Sequence, residues 1–228
     1  MGKNDNGNNG RTELVFVVDR SGSMGGLESD TIGGFNSMLS KQRTIAGECR
    51  VTTLLFDHRI ETLHNHLDIR EVNDLTSRDY WVRGSTALLD AIGLAIDRMI
   101  VTQRRTAAAY RAQHVLFVII TDGYENASRR YSLHQIKQMI TYERERYHWE
   151  FVFLGANIDA EQTAGDFGIS PRCATDFHAD GQGIKASFEA VACAATAVRG
   201  GADLDDLSAP DFLGGVRDDY RSRRRMKR

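Results

Sequence analysis

At 228 residues, with 41% hydrophobic and 26% charged side chains, the chain is sized and composed for one globular domain with a sizeable core. Its formal net charge of −2 selects no charged partner, and with only two prolines it has no linker-like stretch. No apolar run approaches the roughly 18–20 residues that a membrane span needs, and no signal-peptide pattern precedes the first apolar run.

Residues 1–12 open with MGKNDNGNNG, Asn- and Gly-rich and too polar to fold alone, and they read as a disordered leader to a domain over residues 13–200. ELVFVVD is a nearly continuous apolar run, as a parallel strand buried on both faces requires. From Leu27 to about Arg43 the spacing is helical, with Leu27, Ile32, Phe35, Met38 and Leu39 on one side. RVTTLLFD is a second strand, and IETLH, after Asp57-His58-Arg59, is its hairpin partner at a sheet edge. Residues 65–84 read as irregular, with His64 and His66 on one face of the strand before them.

TALLDAIGLAIDRMI is apolar on most faces and predicts a well-buried helix. HVLFVIITDG is the strongest strand in the chain. Residues 132–147 form an amphipathic helix with Leu133, Ile136, Met139 and Ile140 inward and Ser132 as N-cap. EFVFLGA is another strand, followed by a short helix near residues 160–167, a weak strand around Cys173 to Phe177, and a helix over about residues 183–199. Residues 201–228 form a C-terminal extension. From Arg217 onward it carries seven Lys/Arg against Asp218 and Asp219, so the tail is about +5 and the remainder about −7. It reads as a solvated end, with an arm for nucleic acid or an acidic protein as the sharper alternative.

Strands alternating with helices at this spacing predict a doubly wound, Rossmann-like three-layer sandwich, with right-handed crossovers and one antiparallel edge strand on a mostly parallel sheet. Such sheets bind ligands at the carboxyl ends of their strands. Five oxygen-bearing residues fall there: Asp19, Ser21 and Ser23 after the first strand, Thr86 before the buried helix, and Asp122 after HVLFVIIT. Oxygen-only donors suit a hard cation, Mg²⁺ or Mn²⁺, with Ca²⁺ a poorer fit. Hydroxyl-rich ligation leaves such an ion electrophilic and open to an outside carboxylate. By chance DxSxS arises in roughly one chain of this length in twenty, so alone it is weak; two further strand-end signals give it weight. The plain alternative is that the serines and Thr86 cap helices and Asp122-Gly123 is a turn.

DRSGSM, RGSTALLDAI and IITDGYEN resemble, in order and separation, the three metal-site loops of von Willebrand factor type A domains. GANIDA and GIKASFEAV are similar to the C-terminal part of standalone bacterial members. The resemblance runs from about Glu13 to Arg199. It implies a metal-ion-dependent adhesion site in which Ser21, Ser23 and Thr86 ligate directly and Asp19 and Asp122 act mostly through water. Arg20 and Tyr124 depart from the usual pattern, beside the motif and at its rim.

The function expected is a Mg²⁺-dependent protein-binding module that grips an Asp or Glu of a protein partner, with a metal-dependent hydrolase or phosphatase on a similar sheet as the alternative. Ser21 stands where an aspartyl-phosphate phosphatase carries its second acid, and no GxSxG elbow, phosphate loop or GxGxxG appears, which argues against an enzyme. Three dispersed cysteines, Cys49, Cys173 and Cys193, suggest a reducing, cytoplasmic setting.

Overall fold

The computed structural model describes residues 10–226, and its sheet grows outward from the two most apolar runs in the chain. β1 (Thr12–Asp19) and β4 (His114–Thr121) pair in parallel, and every residue of β1 and all of β4 after His114 are buried. Strands covered on both faces need no polar alternation, hence the unbroken apolar sequences. β2 (Cys49–Phe56) pairs with the other side of β1, β5 (Glu150–Gly155) with β4, and the short β6 (Ala174–Asp176) with β5, all in parallel. β3 (Ile60–Asp68) returns antiparallel along β2. The order β3-β2-β1-β4-β5-β6 is the mostly parallel sheet with one antiparallel edge that the sequence predicts.

α1 (Glu28–Arg43) and α5 (Gly181–Arg199) pack together on one face. α2 (Leu88–Arg105) and α3 (Leu133–Tyr147) pack against each other, with α4 (Ala160–Asp166) linking β5 to β6. Ser132 caps α3 in a reciprocal capping box with Gln135. Among the described residues no helix is long and apolar enough to cross a membrane.

Four local readings change. The edge strand continues to Asp68, so the irregular stretch starts later than residue 65. A bulge opposite Val51–Leu54, with His66 at φ 56°, breaks the two-residue period that would have revealed it. The same bulge separates the two histidines. His64 is buried, bonded to Thr53 Oγ1 at 3.0 Å and stacked on Phe35, whose ring meets Phe16. His66 instead pairs with Glu13, which lies three residues from Phe16 along β1 and so on the opposite face. Third, Leu133 is 42% exposed; the inward row of α3 is Ile136, Ile140 and Glu143, with Met139 packed at its side.

Fourth, the C-terminal stretch is a docked helix, α6 (Gly214–Met226). Leu213 and Val216 are buried, and the Tyr220 ring lies 4.6 Å from that of His178. Arg217 donates to the carbonyls of Pro171, Arg172 and Ala174, and Arg223 pairs with Asp180 and Asp219. Apolar spacing of three and four residues was present, hidden among charges. Residues 1–9 of the proposed leader and residues 227–228 of the tail lie outside the described residues. Thr12 already belongs to β1, and Arg11 pairs with Glu48.

Candidate metal centre

Three loops meet above the carboxyl ends of β1 and β4. The first leaves β1 at Asp19 and makes one tight turn, Gly22–Met24, before α1. The second, residues 80–87, threads between the first and the β2–β3 turn. The amide of Gly22 donates to Gly84 O at 3.1 Å, that of Arg83 to Arg20 O at 2.9 Å, and that of Ala87 to Asp57 O at 2.9 Å. Gly84 has φ +69°, and a Cβ there would stand 2.1 Å from the His58 ring, so the passage demands glycine. The third loop leaves β4 and is sewn to α2: the Thr86 amide donates to Asn126 Oδ1, and Thr86 O accepts from the amides of Asn126 and Ala127.

This arrangement brings all five predicted residues together. Thr86 Oγ1 donates to Ser21 Oγ at 3.0 Å, Ser21 and Ser23 hydroxyls lie 3.0 Å apart, and Ser23 Oγ donates to Asp122 Oδ1 at 2.5 Å. Asp19 is wholly buried, accepting from the Ser21 amide (2.7 Å) and Thr121 Oγ1 (2.6 Å). Gly123 closes the cluster: a Cβ there would lie 3.3 Å from Ser23 Oγ and 3.5 Å from Thr86 Oγ1.

Helix capping does not account for these hydroxyls. α1 starts at Glu28 with Leu27 as N-cap, well past Ser21 and Ser23, and neither it nor α2 has a side-chain cap from its own N-cap residue. The first amides of α2 go instead to Glu125 and Ser128: Leu89 N donates to Glu125 Oε2 and Asp90 N to Ser128 Oγ. The hydroxyls of Ser21, Ser23 and Thr86 are bonded to one another and, at the ends of the chain, to the carboxylates of Asp122 and Asp19.

The electrostatics leave an unmet need for positive charge. Burial pushes the Asp19 carboxyl up to about 6, against the opposing hydrogen bonds from Thr121 and Ser21, and Asp122 adds to the rise. Burial also raises Asp122, whose Oδ2 is buried without a hydrogen-bond partner. Two buried carboxylates, one with an orphaned oxygen, beside three neutral hydroxyls form a donor set that fits a hard divalent cation.

Arg20 does not supply that charge. It is buried and turned away, its Nε 3.2 Å from Asp57 Oδ2 and its Nη2 2.7 Å from Glu61 Oε2. Asp57 also accepts from Arg83 Nε at 2.7 Å, and Arg83 lies 4.3 Å from the Trp81 ring centroid. Trp81 and Tyr124, 43% and 62% exposed, stand on loops of the site. Sequence reading missed Thr121, Tyr80 and Asn126, which hold Asp19 Oδ2, Asp19 O and the Thr86 amide. Thr121, directly before Asp122, carried the only readable signal. Among the described residues no group of three or more His, Cys, Asp or Glu side chains is placed to hold a metal ion.

No protein-family model matches the chain, and no curated protein matches it. Solved structures do. Proximal thread matrix protein 1 from the mussel byssus, with a zinc-occupied MIDAS motif, is 15% identical at a TM-score of 0.58, over 82% of this chain and 46% of that one. Manganese-loaded TRAP protein of Plasmodium vivax is 18% identical at a TM-score of 0.56, over 78% of this chain and 72% of that one. A von Willebrand factor type A protein from Catenulispora acidiphila is 10% identical at a TM-score of 0.53, over 80% and 42%. The match thus spans under half the length of the mussel protein.

Proposed function

We propose that this chain, which has the von Willebrand factor type A fold, is a metal-dependent binding module whose site grips a carboxylate of a protein partner. The observation that carries the reading is the chain of oxygens from Thr86 through Ser21 and Ser23 to Asp122, none of them spent on helix capping, ending at an unpartnered buried Oδ2. Ser21, Ser23 and Thr86 offer neutral hydroxyl ligands. Asp19 and Asp122 supply the balancing charge, and Asp19 also fixes the loop by accepting from the Ser21 amide. The bound ion supplies a Lewis-acidic position for an outside Asp or Glu. We take Mg²⁺ as the first choice of ion and Mn²⁺ as the second, since hard oxygen donors suit both.

Zinc in the mussel protein and manganese in the Plasmodium protein support a divalent ion at this place in the fold. Trp81, Arg83 and Tyr124, on the loops that carry the site, are residue types that carry binding energy at protein interfaces. Cys49 and Cys173 are buried free thiols, which suits a reducing compartment, and we place the protein in the cytoplasm. The test is capture of a protein partner that needs Mg²⁺ or Mn²⁺ and is lost in Ser21→Ala/Ser23→Ala. Turnover of a generic phosphate or carboxylic ester with Mg²⁺, abolished by Asp19→Ala, would overturn the binding-only reading.

A further inference from the structure

β2 runs parallel to β1 with Phe56 opposite Asp19, so the residue after β2, Asp57, falls at the same sheet edge as the metal-site loops. It is a third strand-end acid there, and it is wholly buried. Among the described residues no hydrogen bond joins it to the side chains of Asp19, Ser21, Ser23, Thr86 or Asp122. Its two carboxylate oxygens have different partners. Oδ1 accepts from the Arg59 amide at 2.7 Å and lies 3.0 Å from His58 Nδ1, which closes the β2–β3 turn. Oδ2 accepts from Arg20 Nε at 3.2 Å and from Arg83 Nε at 2.7 Å.

Those two arginines belong to different loops. Arg20 lies between Asp19 and Ser21, and Arg83 precedes Ser85 and Thr86 in the second loop. The Asp57 backbone adds another tie, its carbonyl accepting from the Ala87 amide at 2.9 Å, directly after Thr86. The loops also meet each other, Arg83 N on Arg20 O and Gly22 N on Gly84 O. A buried carboxylate must keep its cationic partners, so one fixed oxygen holds both loops in a single register. In that register Thr86 Oγ1 and Ser21 Oγ come within 3.0 Å. The same pairing keeps the Arg20 guanidinium on Asp57 and Glu61 rather than on the hydroxyl cluster.

We propose that Asp57 is a positioning residue for the metal site: touching none of its oxygens, it sets the spacing of Ser21 and Thr86 by holding Arg20 and Arg83 on one oxygen. The inference rests on the reading of those oxygens as a metal centre. The sign of one substitution separates it from simple electrostatics. Removing a positive charge near a cation site strengthens cation binding by charge alone. Losing the tie through Arg83 weakens it.

Mg²⁺ is titrated calorimetrically into the full chain, and amide exchange of Gly22 and Ala87 is followed without metal. In Arg83→Met and Arg83→Gln the Mg²⁺ affinity is expected to fall about tenfold, as on losing an outer partner of a metal site, and both amides to exchange faster. Arg83→Lys keeps one charged nitrogen for Oδ2 and recovers most of the affinity. Arg70→Met removes an equal charge beyond the far end of β3, where Arg70 pairs with Asp68, and leaves both readouts unchanged. Melting curves show that each variant folds. Mg²⁺ binding by folded Arg83→Met and Arg83→Gln as tight as wild type or tighter, or unchanged exchange of both amides, overturns the proposal and leaves the metal site standing. A wild type that binds no Mg²⁺ removes the reading beneath the proposal, and the proposal with it.

Discussion

Ser23 donates its hydroxyl to one oxygen of Asp122 at 2.5 Å, joining loops 99 residues apart, while the other oxygen of Asp122 is buried without a partner. The site thus holds an acceptor that the protein itself leaves unused. Asp122→Asn removes the buried charge and should raise metal-free stability by about 1 kcal/mol while erasing the metal response. Paired melting curves with and without Mg²⁺ check both halves. A variant that is less stable without metal and still responds to it would contradict the assignment.

Gly123 leaves room for the hydroxyl cluster, since a Cβ there comes within 3.3 Å of Ser23 Oγ. Gly123→Val places methyl groups against those oxygens. Apparent Mg²⁺ affinity is expected to fall at least tenfold in a calorimetric titration, with the fold intact by circular dichroism.

Asp57 gathers Arg20, Arg83 and the His58 ring around one fully buried carboxylate. Asp57→Ala leaves Arg20 buried with Glu61 alone and should cost about 3–5 kcal/mol in urea unfolding. Arg20→Met costs less, because Asp57 keeps Arg83, His58 and the Arg59 amide. The reverse order would show that Arg20, not Asp57, organises the cluster.

Glu150 sets a pH dependence remote from the metal site. Burial, with Asp203 and then Asp205 adding to it, pushes its carboxyl up to about 7 from an ordinary 4.5. The folded chain therefore holds this proton more tightly than the unfolded chain does. Its stabilising effect is complete below about pH 4.5 and is lost as pH rises through 7. Glu150→Gln should melt about 2–4 °C above wild type at pH 8, the change that roughly 1 kcal/mol makes at this size, and that gap should narrow steadily as pH falls toward 4.5.

The elements most legible in sequence were those whose burial dictates composition. β1 and β4 are unbroken apolar runs over Leu14–Val18 and Val115–Ile120 because helices cover both faces, and Asp19 and Asp122 stand out because each follows such a run. Ser21, Ser23 and Thr86 were readable only as a set, since each alone passes for a cap. Tyr80 and Asn126 were not readable: they act by where the 80–87 and 122–128 loops carry them, and neither loop has a period. β3 was cut short because its bulge breaks the alternation, and α6 was missed because Leu213, Val216 and Tyr220 lie diluted among arginines and aspartates.

Thermal denaturation under Mg²⁺ and Mn²⁺ titration, on wild type and on Ser21→Ala/Ser23→Ala, tests the central claim most directly. An ion that binds only the folded state raises its stability, by about 2.7 kcal/mol at one hundred times the dissociation constant. The wild type should melt progressively higher through the millimolar range and the double variant should not move. A flat wild-type response, or an equal rise in both proteins, would contradict a metal held by these hydroxyls.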